Sequence, residues 1–303
     1  MICLIGRDGM LGRETSGLLR EMGVPFTGTG RHEVDVTCKD APLDFIRGGS
    51  FDHIINCSAY TAVDDAEDDA DNCAAVNTRG AENIARAAKE AGAALVHIST
   101  DYVFGGGASR PRLETDRASP QGVYGKTKYD GEICIQNMYE KYYILRTAWL
   151  YGQGGKNFVN TMLRLMAEKD AVTVVDDQTG SPTWTFDLAS VIVRLVSHNG
   201  SKPAAPFGIY HYAGQGACTW FQFARAIYRH ARELGLLQKD CRILPCTSAE
   251  FKTKASRPAY SVLDTTKIRT ALGIDIPGWE ESLKKYLQQL LALQKKDIYA
   301  KIN

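Results

Sequence analysis

Short apolar runs alternate with longer stretches of helical spacing through the first half of the chain. Ile2–Ile5, Pro25–Thr29, His53–Asn56, Ala94–Ser99 and Tyr142–Arg146 read as strands. Met10–Met22 sets Leu11, Leu18 and Leu19 on or near one helical face, and Tyr124–Tyr139 reads as a further helix. Ala70–Ala91, rich in Ala and Glu, reads as one long helix. Strands separated by helices require right-handed crossovers and predict a parallel sheet. The second half is less regular. Asn157–Lys169, Asp187–Ser197, Phe221–Leu234 and Trp279–Leu293 have helical spacing, Val172–Val175 and Gly208–Tyr212 read as strands, and Asp176–Thr183 reads as a loop. Neither a repeat nor a Pro/Ser-rich linker divides the halves, so a second lobe should pack onto the first.

A chain of 303 residues fits one large domain or two smaller ones. With 44% hydrophobic and 23% charged residues it should fold as an ordinary globular protein. Lys plus Arg number 36 against 35 Asp plus Glu, a balance that argues against nonspecific nucleic-acid binding and gives no reason to invoke a membrane. No run approaches the length of a membrane span, and the N-terminus has no signal-peptide pattern, so a cytoplasmic location is expected. The eight cysteines are scattered without a CxxC pair, which predicts reduced thiols and no zinc site.

Candidate chemistry begins where the first strand ends. Gly6, Gly9 and Gly12 form a GxxGxxG that opens the first helix. Glycines let a pyrophosphate approach backbone N–H groups, and the helix N-terminus adds partial positive charge, so this loop should bind a dinucleotide. After the second strand comes Gly30-Arg31-His32, with no carboxylate at the expected point. Arg31 could pair with a 2′-phosphate, favouring NADPH over NADH, or could be a solvated surface arginine. Asp35 and Val36 could flank the adenine.

Tyr124 and Lys128 stand four residues apart and share a helical face. A free tyrosine holds its proton too tightly for exchange at neutral pH, and a nearby ammonium would lower that pKa. Thr100, at the end of the fourth strand, is placed to bond a substrate carbonyl beside Tyr124.

At this point the chain resembles an extended short-chain dehydrogenase/reductase, and within that superfamily it is most similar to the dTDP-4-dehydrorhamnose reductases. Besides the glycine loop and Tyr124/Lys128, the resemblance is carried by Asn56–Asp64, Ser99–Phe104, Arg146–Trp149, Asn157-Phe158, Asp177–Thr183 and Arg257-Pro258, in order over almost the whole chain. It implies an α/β fold with a Rossmann-type doubly wound parallel sheet and a smaller, interleaved C-terminal substrate-binding lobe. Residues 1–150 would bind the dinucleotide. Residues 151–303 would mainly bind substrate, with 187–212 returning to the sheet.

Carried over by position, the resemblance assigns Gly9, Met10 and Leu11 to the dinucleotide loop, Ala59, Tyr60 and Thr61 to the cofactor, and Ser99 to its nicotinamide side. Tyr124, Lys128 and Thr100 would be catalytic, and Thr100, Asp101 and Trp149 would touch the substrate. Asp101 could instead cap a loop, and Tyr60 and Trp149 could be core or rim aromatics. Asn157 and Gln178 could bind substrate or satisfy backbone groups, while Arg257 could meet a diphosphate or belong to a solvated face.

The implied reaction is NAD(P)H-dependent reduction of the C4 ketone of dTDP-4-dehydro-6-deoxy-L-mannose to dTDP-L-rhamnose, with Tyr124 as proton donor. A 4,6-dehydratase would carry Asp-Glu after the threonine, whereas Asp101 is followed by Tyr102. Two other readings stay open: a reductase or epimerase of another nucleotide-linked keto-sugar, and an NADP-binding regulatory subunit like the methionine adenosyltransferase β subunit. Some family members hold Mg2+ at a dimer interface through clustered glutamates. Glu14 matches one position, but Phe186 and a glutamine of the Gln288–Gln289 region stand at the others, so a metal bridge is not expected. A homodimer through another surface stays open.

Overall fold

The computed structural model describes residues 1–107, 109–197 and 203–302. In chain order the first half contains β1 (Ile2–Ile5), α1 (Met10–Glu21), β2 (Phe26–Thr29), α2 (Ala41–Arg47), β3 (His53–Asn56), α3 (Ala70–Ala74), α4 (Gly80–Ala91), β4 (Ala94–Thr100), α5 (Val123–Met138) and β5 (Tyr142–Thr147). The second half contains β6 (Leu150–Tyr151), α6 (Phe158–Glu168), β7 (Ala171–Val175), β8 (Thr179–Gly180), β9 (Thr183–Trp184), α7 (Thr185–Val196), β10 (Gly208–His211), β11 (Cys218–Thr219), α8 (Trp220–Glu233), β12 (Arg242–Cys246), α9 (Thr266–Leu272) and α10 (Trp279–Ile302).

Six strands form one parallel sheet in the order β10-β5-β4-β3-β1-β2. The apolar runs of β1 and β3 are buried because helices cover both faces. On one face Leu11, Leu19, Leu188, Ile192 and Ile268 pack together; on the other, Leu43, Ile46, Ile84, Ala88 and Ile135 do so. The chain order reverses between β1 and β3, and in such sheets ligands bind beyond the strand C-termini at that switch point. Gly208–His211 pairs with β5. Residues 198–202 of the segment expected to rejoin the sheet lie outside the described residues.

The second lobe packs Val159, Met162, Phe223, Ile227, Leu283 and Tyr286 around the paired strands β7 and β12. The loop expected over Asp176–Thr183 contains β8 and enters β9, because Thr179 and Gly180 pair with β11.

The single helix expected over Ala70–Ala91 is broken. A π-helical turn, Ala75–Arg79, separates α3 from α4, which ends at Gly92 in the left-handed region (φ 67°). Such turns re-aim a side chain, here Asn77. Its Oδ1 accepts the Tyr60 N–H at 2.9 Å and its Nδ2 donates to the Tyr60 carbonyl at 3.1 Å.

Behind α5 lies a buried ion pair. Arg146, 3% exposed, donates to Glu132, 0% exposed, at 2.6–3.2 Å through Nε and Nη2. Ser99 Oγ donates to the same carboxylate at 2.5 Å. Removing one partner leaves a buried charge without a counter-ion. Glu132→Gln should therefore cost about 3–5 kcal/mol of unfolding free energy. A urea midpoint equal to that of the unaltered protein would refute this.

Candidate active site

The glycine loop is built for close approach. Gly6 has φ 82°, and a Cβ there would stand 2.7 Å from the Ser58 nitrogen. A Cβ on Gly12 would stand 2.1 Å from the Gly6 carbonyl oxygen, so this glycine lets α1 close onto β1. Gly9 enters α1 in extended backbone, its side is not capped by another side chain, and the first turn carries no acidic residue. These are the conditions under which a helix N-terminus attracts phosphate.

A cleft of about 270 Å³ opens beside this loop. Gly6, Gly9, Arg31, Asp35 and Val36 line it from one side, and Ala59 and Tyr60 from the other. The residues present fit a dinucleotide: glycine backbone for the pyrophosphate, an exposed guanidinium at Arg31, and apolar Val36 deeper in. Asp35 is held by Thr37, whose N–H and hydroxyl donate to it at 2.9 and 2.8 Å and keep its carboxyl below the usual range. Leu11 and Gly12 are buried, and Met10 faces the second lobe, where Asn157 Nδ2 approaches its sulfur at 3.6 Å.

Sequence reasoning missed two residues here. Arg7 Nη1 donates to the Gly28 carbonyl at 2.5 Å and Nη2 to Glu33 at 2.8 Å, while Glu33 also accepts the Gly30 N–H at 2.7 Å. The carboxylate of Glu33 is thereby spent on closing the turn after β2.

A larger cleft, about 670 Å³, lies against the second lobe. Thr61 lines this cleft, while Ala59 and Tyr60 line the smaller one, because the chain after Tyr60 runs from one to the other. Asn157, Gln178 and Arg257 also line it, together with Asp64, Phe158 and Trp220, which sequence reasoning did not single out as site residues. Asn157 caps α6, accepting the Asn160 N–H at 3.1 Å, and Gln178 donates to Ser248 at 2.8 Å. Arg257 donates to Asp64 at 2.6 Å and to the Tyr102 hydroxyl at 3.0 Å, so its charge is already partnered. Trp149 stacks flat on Trp220 at 3.5 Å, and Trp220 and Phe158 supply the aromatic wall.

Thr100 and Tyr124 meet at the C-terminal end of β4, and Lys128, one turn along α5, reaches the same strand at Ile98. The Thr100 hydroxyl accepts the Tyr102 N–H at 3.2 Å, donates to Asp101 at 3.1 Å, and lies beside the Tyr124 phenol. Burial dominates and pushes the Tyr124 phenol well above its ordinary value. This is opposite to the tuning expected from Lys128. Lys128, 1% exposed, instead directs Nζ to the Ile98 carbonyl at 2.6 Å and to His97 at 3.3 Å. Burial draws its pKa down to about 8, against the opposing Glu132 charge. Ser99 lies beside them, but its hydroxyl is committed to Glu132. Glu14 is half-buried and contacts Thr185, while Phe186 stacks on Trp184. Among the described residues, no three metal-ligating side chains cluster.

The family model described as the RmlD substrate binding domain matches residues 1–292. The chain belongs to the RmlD family. It is 39% identical to the dTDP-4-dehydrorhamnose reductase of Aggregatibacter actinomycetemcomitans, covering 93% of this chain and 97% of the relative. Among solved structures, that of a dTDP-4-dehydrorhamnose reductase from Clostridium acetobutylicum is 40% identical, with a TM-score of 0.88 over 95% of this chain and 99% of the other. The enzyme of that name from Bacillus anthracis, solved in complex with NADP, is 35% identical, with a TM-score of 0.88 over 95% and 98%. Against these RmlD-family members the sheet, the glycine loop and the second lobe all fall within the matched length.

Asp101 generates a pH prediction. It is 2% exposed, and burial raises its carboxyl to about 6 against hydrogen bonds from Ser261 and Thr100. The folded state holds this proton more tightly than the unfolded chain. Its contribution to stability is therefore complete below roughly pH 4 and lost as the pH rises through about 6, a loss of about 3 kcal/mol. Asp101→Asn should remove that slope, seen as urea midpoints that stay level where those of the unaltered protein fall.

Proposed function

We propose that this protein reduces the C4 ketone of dTDP-4-dehydro-6-deoxy-L-mannose to dTDP-L-rhamnose, a precursor of cell-surface polysaccharide. The observation that carries this reading is the gathering of Tyr124 and Lys128 over the last residues of β4, the one beside Thr100 and the other at the Ile98 carbonyl, in a chain of the RmlD family. NADPH, when bound, supplies the hydride. The nucleotide sugar is assigned to the larger cleft. There Trp220 and Phe158 offer aromatic faces to a base, and Arg257 can exchange Asp64 for a diphosphate.

Tyr124 gives its phenolic proton to the oxygen that becomes the C4 hydroxyl. A phenol that holds its proton in the resting site is a competent donor once negative charge develops beside it. Thr100 adds a hydrogen bond that strengthens as this charge grows. Lys128, one turn further along α5, positions the cofactor side and restores the proton. Residues 1–150 are assigned to the dinucleotide and most of the remainder to the sugar nucleotide. We place the reaction in the cytoplasm, consistent with eight free cysteines and, among the described residues, no helix long and apolar enough to cross a membrane.

Two outcomes are expected. Tyr124→Phe should lower turnover of the keto-sugar by about 10²–10⁴-fold while NADPH still binds, read from NADPH absorbance and fluorescence titration. Unchanged turnover would remove the proton-donor role. Arg31→Ala should weaken NADPH about tenfold with NADH unaffected, corresponding to about 1.4 kcal/mol from a lost phosphate contact; equal weakening of both would show that Arg31 does not read the 2′-phosphate.

A further inference from the structure

Two polar side chains interrupt the apolar pattern of neighbouring strands: Asn56 at the end of β3 and His97 within β4. Both are buried. Asn56 Oδ1 accepts the Ser58 N–H at 2.9 Å and the Ser58 hydroxyl at 2.6 Å. A backbone N–H can only donate, so the atom facing Ser58 is the amide oxygen and the orientation of the Asn56 amide is fixed. Its Nδ2, a donor, then faces His97 Nδ1 at 3.0 Å. That ring nitrogen must accept. Burial keeps His97 neutral, its pKa well below the ordinary value, so its one ring proton sits on Nε2. The Nε2–H points at Lys128 Nζ, 3.3 Å away.

An ammonium at this place would present a donor to a donor. A neutral amine satisfies both contacts: it accepts from Nε2–H and donates to the Ile98 carbonyl at 2.6 Å. We propose that His97, locked in its Nε2–H tautomer by Asn56, is a positioning residue that disfavours the ammonium form of Lys128 in the resting site and so lowers its affinity for a proton. The chain Ser58–Asn56–His97–Lys128 is a one-way relay of donors ending on Nζ. The other groups around Nζ push the opposite way: Glu132 from α5, Cys73 from α3 and Cys57 beyond β3 all favour the ammonium. Glu132 is neutralised by Arg146, which leaves His97 as the neighbour that opposes the charge by hydrogen bonding.

The inference rests on the proposed reductase for its kinetic consequence, but its test does not. The full chain, free of cofactor, is labelled with ¹⁵N-histidine and ¹³Cε-lysine and titrated by NMR. The Lys128 signal is assigned by its loss in Lys128→Arg. The expected result is an Nε2–H tautomer for His97 and a Lys128 midpoint below those of the other lysines, near 8. His97→Gln places a rotatable amide at the Nε2 position, whose oxygen can accept from an ammonium. It should raise the Lys128 midpoint by about one unit, a tenfold gain in proton affinity. Asn56→Asp turns the relay round by accepting from Nδ1–H, and should also raise it. An Nδ1–H tautomer in the unaltered protein, or a Lys128 midpoint unmoved in a folded His97→Gln, would overturn the proposal. Both readings are independent of turnover, so an inactive protein with the expected titration would count against the reductase and not against the relay.

Discussion

The Glu132–Arg146 pair fixes the geometry on which the site depends. Burying two charges costs several kcal/mol per ion, and the interior repays it only when geometry and hydrogen bonding are good. Here the guanidinium meets the carboxylate through two nitrogens, Ser99 supplies another donor, and Arg146 lies 5.1 Å over the Phe104 ring. The pair joins α5 to β5, and Ser99 joins both to β4. Residues 124, 128 and 132 are four apart on α5 and share a face. Fixing Glu132 against the sheet therefore aims Lys128 and Tyr124 at the end of β4. Two glycines allow the helix to come so close: a Cβ on Gly125 would lie 2.3 Å from the Tyr102 carbonyl oxygen, and one on Gly131 2.3 Å from that of Asn77.

That close packing also sets the charges. The phenol of Tyr124 and the carboxyl of Asp101 are pushed up and the ammonium of Lys128 is drawn down, each with burial as the leading cause. All three shifts favour the neutral form. In the resting site each of the three therefore ionises less readily than it would in water. A ligand that brings hydroxyls and negative charge would reverse this preference at the groups it touches. In the larger cleft the charge of Arg257 is likewise already met, by Asp64 and the Tyr102 hydroxyl.

Much of this was legible from periodicity. The strands β1, β3, β4 and β5 are short apolar runs, and Tyr124/Lys128 share a face because a helix repeats every 3.6 residues. What periodicity cannot reveal is a partner distant in sequence. Ser99 looked free for a cofactor until Glu132, thirty-three positions away, took its hydroxyl. Thr61 lines the larger cleft because the fold, not the local pattern, decides where the strand-end segment runs. The π-helical turn at Ala75–Arg79 was hidden inside a good helical pattern, and its reason is the backbone of Tyr60. The helices α2 and α9 and the strand β12 are short and largely amphipathic by tertiary contact, with too few residues to establish a period. His97 and Asn56 did carry a signal, as polar residues in otherwise apolar strands.

The join between the two lobes is built on strain. Among the described residues, Trp149 is the non-glycine residue with positive φ, 47°, a conformation unfavourable for a bulky side chain. It persists because its surroundings over-determine it. Its carbonyl accepts the Thr183 N–H at 3.2 Å, the next residue pairs with β9, and the indole lies flat on Trp220. Gly180 leaves the space: a Cβ there would stand 2.4 Å from the Trp149 ring. The chain leaves β5, turns through this one residue and enters the second lobe. The same turn sets Trp220, and through it Phe158 at 4.5 Å, as the wall of the larger cleft. The backbone cost at Trp149 is therefore the cost of placing an aromatic wall within one turn of the sheet end that carries Thr100, and the tight stack is what keeps that wall in place.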